Sequence, residues 1–319
     1  MSVAPGMVRK LLAHAFFVGL VVLLLCAPLP AQKSSFSPEV KQALEKMHGG
    51  DPDAAITLAH DLEKAQPEHP LGYLLEAEAR WWKIYCAACE VKWVMVDAWK
   101  RPKKAGDEEY LKVADRAIHL AEAQIKKNDS AEMRLYAGIG WALKARLYGL
   151  REERRATAHA GVEAREEFLH ATQLDPNLAD AYTGLGLYNY YVDTLSPIVK
   201  MMRFFMGIPG GSKKEGILQL ERAMNQGELT SIEARFYLAK NLRTYDHQYE
   251  RALTIATPLI EHYPHNPLFL LLVGNLSMEL GRNEPAAANF RAAQKLTVPD
   301  PACAARVEQL VQTFLSLLH

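Results

Sequence analysis

The chain has 319 residues, of which 49% are hydrophobic and 23% charged, the composition of an ordinary folded soluble protein. Its 37 basic and 37 acidic side chains cancel. With no basic excess to neutralise phosphates, nucleic acid is not an expected partner.

The first thirty residues stand apart. Arg9 and Lys10 precede an almost wholly apolar run from Leu11 to Cys26, interrupted by His14 and Gly19. Ala27-Pro28-Leu29-Pro30-Ala31 then leads into polar Gln32-Lys33-Ser34-Ser35. Charge, short apolar core and a small residue at the cut is the order of a secretory signal, and cleavage is expected after Ala31. Two alternatives are an uncleaved anchor and a lipid-modified Cys26. The run is shorter than the ~20 residues a spanning helix needs. The residue before Cys26 is Leu25, not the small one a lipidation site calls for. Loss of 1–31 would take two positive charges from a net of zero and leave −2. The expected compartment is extracytoplasmic, in the cell envelope or periplasm. Membrane anchoring applies if 1–31 stays attached.

Residues 32–127 read as an N-terminal helical region. Ala55, Ala59, Leu62 and Pro67, after Gly50, give a weak second-helix pattern. From Gly72 to Lys100 the chain is apolar and aromatic with no repeat register. It carries Cys86-Ala87-Ala88-Cys89, a spacing shared by redox pairs. The redox chemistry needs a strand–helix setting that is absent here, and zinc would need a second pair of ligands. Cys86 and Cys89 read either as small packed thiols or, in an oxidising compartment, as a local disulfide that leaves Cys303 alone. A thiol-redox protein using this pair is the less favoured alternative.

From 128 onwards the helical period is more regular, and no run alternates as a strand would. Tyr136, Ile139, Gly140 and Leu143 form a first-helix pattern. Ala164, Phe168 and Ala171 follow on a second helix closed by Pro176. Tyr182, Leu185 and Gly186 open the next unit, and Ala252, Ala256, Leu259 and Pro264 repeat the second-helix pattern. The clearest unit runs from Pro267 to Pro299, with Leu270, Gly274, Gly281, Ala286, Phe290 and Ala293. Small residues let two helix backbones approach, and aromatic ones fill the gap between neighbouring pairs. One hairpin cannot bury its apolar face alone, so copies stack. Relative to a 34-residue register there are 12 extra residues between Gly140 and Ala164 and about 18 between Gly186 and Gly216. Apolar Cys303, Val307, Leu310, Val311 and Phe314 predict a terminal helix that covers the end of the stack.

These residues resemble the tetratricopeptide repeat (TPR) family. The resemblance implies an all-α solenoid of about five or six antiparallel helix pairs with a C-terminal capping helix. It also implies a non-enzymatic scaffold that binds a protein or peptide ligand in a concave groove lined by first helices. The family register places Arg134, Trp141 and Lys144 in that groove from one unit, and Asp180, Thr183, Leu187 and Tyr190 from the next.

No cofactor is expected. His247, His262 and His265 lie in turns and make no metal set, and the loop Gly207 to Lys214 lacks the spacing of a phosphate cradle. The inserted segment 191–215 is expected to pack inside the groove. Its stretch 195–206, rich in Met and Phe, offers the alternative of ligand or peripheral membrane contact, and with it a membrane-associated assembly factor.

Overall fold

A computed structural model describes residues 36–88 and 106–318. The expected signal segment, Cys26 and Cys89 lie outside them. The described residues form fourteen α-helices and no strand. They are α1 (Pro38–His48), α2 (Pro52–Ala65), α3 (Pro70–Ala88), α4 (Gly106–Lys127), α5 (Ala131–Leu150), α6 (Arg154–Leu174) and α7 (Ala181–Thr194). Then come α8 (Pro197–Phe205), α9 (Lys213–Gln226), α10 (Ser231–Thr244), α11 (Tyr249–His262), α12 (Pro267–Glu279), α13 (Asn283–Gln294) and α14 (Pro301–Leu317).

Local chemistry explains where several helices start. Ser37, Asp51, Ser196, Asn266 and Asp300 each accept a hydrogen bond from a first-turn backbone N–H, and each precedes a proline at the first helical position. The cap satisfies an orphan donor, and proline fills a site whose N–H has no intrahelical partner. The α12–α13 turn needs Gly281, whose φ of +70° few other residues adopt without strain.

The helices associate as adjacent pairs: α1/α2, α3/α4, α5/α6, α7/α9, α10/α11 and α12/α13. With α14 as a cap, this is the all-α, TPR-like solenoid that the sequence implied. At 20 and 21 residues, α5 and α6 absorb the extra length between Gly140 and Ala164, against 13 and 12 for α12 and α13. The insertion after Gly186 is α8 with its flanking loops. The close approaches fall where the small residues predicted them. A Cβ on Gly274 would come within 2.5 Å of the Phe290 ring, and one on Gly186 within 2.9 Å of the Gly216 carbonyl oxygen.

The first helices α3, α5, α7, α10 and α12, together with the cap α14, form an inner row in which each touches the next, and α14 returns to touch α3. The row therefore closes on itself. Burial follows the layering. Eleven of the thirteen residues of α12 and ten of the fourteen of α10 are buried, against three of twelve in α13 and four of twenty-one in α6. A helix buried all round belongs to a core, and one with a single buried stripe belongs to a surface.

Two devices hold the closure. Cys86 on α3 is disulfide-bonded to Cys303 on α14, with Cα atoms 5.1 Å apart across 217 positions of sequence. The α1–α2 turn docks on the α11–α12 turn. There Asn266 Nδ2 donates to the His48 carbonyl (2.9 Å), and Tyr263 OH donates to Glu45 (3.1 Å).

Candidate functional site

The channel that the resemblance left for a ligand is filled by α3. Trp81 Nε1 donates to Tyr237 OH of α10 at 2.9 Å. The Trp82 ring meets Phe236 at 5.2 Å and Phe269 at 5.8 Å, both edge-on. His48 closes over Trp82 and Tyr263. Burial alone pulls its imidazole down to a pKa of about 3, so the ring is neutral.

Charge inside this core is paired. Arg146 of α5 bonds Glu78 of α3 at 3.1 Å, pairs with Glu233 of α10, and lies over the Tyr237 ring. Burial pushes the Glu78 carboxyl up against the pull of Arg146. Lys240 differs. It is buried, lies 5.4 Å and 5.0 Å from the Tyr85 and Tyr237 ring centres, and makes no ion pair among the described residues. Burial, and then repulsion from Arg146, lower its pKa to about 8.

Most of the expected groove residues hold this interior together. Asp180 is buried, and its carboxylate accepts from the backbone N–H groups of Glu228, Leu229 and Thr230, capping the approach to α10. Thr183 bonds Thr230 at 2.7 Å, and Leu187 is buried. Tyr190 is wholly buried and donates to the Asn241 carbonyl and to Asp246. Arg134 is clamped by Asp129 (2.7 Å) and Glu167 (3.0 Å). Trp141 and Lys144 are half-buried, with the ammonium 4.5 Å from the indole centre and paired to Asp115. The family register thus selects inner-face positions, but here that face packs against α3 and its neighbours.

The cysteine expectation is corrected. The Cys86 sulfur is bonded to Cys303, so it forms no pair with Cys89. Spacing favoured the near partner because sequence alone does not show that the array returns to its start.

Two cavities among the described residues are small or shallow. A crevice of about 350 Å³ between α13 and α14 is lined by Ala293, Gln294, Leu296, Val298, Ala304 and Glu308. A void of about 20 Å³ beneath α1 has His48, Glu78 and Glu233 on its wall. It has room for one water and no substrate. Among the described residues one trio could hold a metal ion: the donor atoms of His60, Glu63 and Glu76 lie within 4.8 Å of one another. Glu76 is already bonded to Arg80, and His60 lies 3.2 Å from it. Burial first, and then the Glu76 charge, push the Glu63 carboxyl up to about 7. His60 and Glu63 share a face of α2 in sequence, but only the fold brings Glu76 across from α3.

The other conspicuous surface is α8. Of the segment 191–215, Tyr191 bonds Asn241 of α10, but α8 itself does not fill the channel. Not one side chain of α8 is buried, and Phe204 and Phe205 are 76% and 78% exposed. No described helix is long and apolar enough to cross a membrane.

No protein-family model matches the chain, and no curated protein does. Among solved structures it is similar to TTC0263, a thermophilic TPR protein of Thermus thermophilus. The identity is 13%, over 86% of this chain and 97% of that one, with a TM-score of 0.31. It is also similar to yeast Tom70 (10% identity, 88% of each chain, TM-score 0.29). A third is the TPR domain of P58(IPK) (12% identity, 88% of this chain and 98% of that one, TM-score 0.26). The repeat character described above rests on the chain's own helix pairs.

Proposed function

We propose that this TPR-like solenoid is an exported, non-enzymatic scaffold of the cell envelope that binds a protein partner on its outer surfaces. The filled inner channel carries this reading. Helices α3, α10 and α12 are buried over most of their residues, which leaves little inner face for a peptide among the described residues, so contacts fall to the exterior. Trp141 and Lys144, at the half-buried edge of α5, are retained as candidate contacts. Two features support export: the order of charge, apolar core and small residues over 1–31, and the buried Cys86–Cys303 bond. Such a bond persists in an oxidising compartment and is rare in a reducing one.

The test is crosslinking in the native envelope with partner identification, alongside mass spectrometry of the N-terminus. The expected result is a chain that begins at Gln32, crosslinked to a defined protein, with recovery reduced in a Trp141→Ala/Lys144→Ala variant. A chain that keeps Met1, stays in the cytosolic fraction and recovers nothing above background refutes the proposal.

A further inference from the structure

Helix α8 is built inside out. On an ordinary surface helix the charged side chains face water and the apolar ones face the body. Here the two charged side chains are half-buried and tied to neighbours. Lys200 Nζ bonds Asp193 Oδ1 at 2.8 Å, and Arg203 Nη1 donates to the Ile208 carbonyl at 2.8 Å. The outward side carries Ile198, Val199, Met201, Met202, Phe204, Phe205 and Met206, all between 42% and 78% exposed. Seven of the ten exposed large hydrophobic residues among the described positions therefore sit in one stretch of nine.

The insertion is seated rather than loose. Ser196 caps its start, Tyr188 OH donates to the Pro209 carbonyl at 2.9 Å, and Asp193 accepts from the Lys213 backbone N–H at 2.9 Å. A Cβ on Gly211 would come within 2.6 Å of the Asn189 carbonyl oxygen, so the returning chain lies directly against α7. A seated helix that keeps its apolar side outward is presenting it.

The width of that side indicates what it meets. At 100° per residue the exposed apolar positions span an arc of about 220°. A helix that docks into a protein groove uses a stripe set by i, i+3, i+4 and i+7 spacing, and the rest of its circumference stays polar. An arc of more than half a turn suits a medium that is apolar on every side. The pairing of Lys200 and Arg203 has the matching consequence: the arc can leave water without stripping a charge bare. Between Asp193 and Glu215 there is no acidic residue; of the four basic ones, Lys200 is paired with Asp193, Lys213 with Asp246, Arg203 is bonded to the Ile208 carbonyl, and Lys214 is exposed. Exposed Lys214 and the Arg203 guanidinium, held by a carbonyl rather than a carboxylate, leave positive charge beside the apolar tip, which fits anionic lipid headgroups above hydrocarbon.

We propose that α8 is an interfacial foot that seats the solenoid on an anionic lipid surface, with Phe204, Phe205 and Met206 entering the acyl boundary. This rests on the scaffold reading above and names the surface on which the scaffold stands.

The test is flotation of the chain from Gln32, whose residues 36–319 form a compact unit by themselves. The probe is vesicles of phosphatidylglycerol and phosphatidylethanolamine. The wild type is expected to float, and a Phe204→Ser/Phe205→Ser variant with unchanged circular dichroism and melting to lose more than about tenfold in partitioning. Lys214→Glu is expected to weaken binding several-fold on these vesicles and not on phosphatidylcholine alone. Wild type that stays at the bottom of the gradient, or a double variant that floats equally, overturns the proposal. So does a dimer in light scattering that the double variant abolishes without any vesicle binding, since it shows that a second copy covers the face. None of these outcomes depends on export or on partner capture, so the foot and the scaffold fail separately.

Discussion

Helices α3 and α8 are both apolar-aromatic stretches that break the repeat register, and they meet opposite ends. On α3 the polar groups reach across the molecule. Trp81 bonds Tyr237, Glu78 bonds Arg146, and thirteen of its nineteen residues are buried. On α8 the polar groups bond neighbours in the same insertion or beside it, and no residue is buried. Composition does not separate them. What separates them is whether polar handles such as Trp81 and Glu78 find distant partners, because buried polar groups are, with few exceptions, hydrogen-bonded. The first stretch closes the solenoid, and the second is left for something outside the chain.

If α3 carries the closure, damage there should be the most costly. Replacing Cys303 with Ser should cost about 4–5 kcal/mol in guanidinium unfolding, because the bond restrains a loop of more than two hundred residues in the unfolded chain. Trp82→Ala should cost about 4 kcal/mol by the same measurement, since it leaves a void beside Phe236 and Phe269. Acid should loosen the same region. The unfolded chain's imidazole takes up a proton near pH 6.5, while buried His48 holds out to about 3. The stability linked to the neutral ring is therefore full above about pH 6.5 and drains as pH falls. It should amount to about 3 kcal/mol between about pH 7 and pH 4, and His48→Phe should flatten that limb of a stability-versus-pH curve.

Lys240→Met should run the other way. The buried ammonium titrates near 8 in the folded chain against about 10.5 when free, so its penalty is full below pH 8 and fades toward 10.5. A gain of about 2 kcal/mol at about pH 7 that vanishes by about pH 10.5 is expected from chemical denaturation. The smallest effect belongs to α8. Phe205→Ser should change stability by less than about 0.5 kcal/mol, because no core contact is lost.

How much of this was legible depends on the range of each interaction. Gly274, Ala286, Phe290 and Ala293 act within one hairpin, so their spacing announced the fold. The five apolar positions of α14 are all buried, as their period implied. The α3 partners were out of reach. Trp81 meets Tyr237 across 156 positions, and only the curvature of the whole array decides whether an inner helix faces solvent or its own start. The groove residues Asp180, Thr183 and Tyr190 show the same gap. Their register places them on the inner face, and closure of the row turns that face into core. For α8 the apolar character was legible and the orientation was not, since Asp193 and the Ile208 carbonyl set it.

The closure is tested most directly by peptide mapping of the native protein without reduction, after alkylation of free thiols. A crosslinked peptide pair containing Cys86 and Cys303, with Cys89 alkylated, is the predicted result. A Cys86–Cys89 linkage with Cys303 alkylated would contradict a solenoid whose first and last inner helices meet.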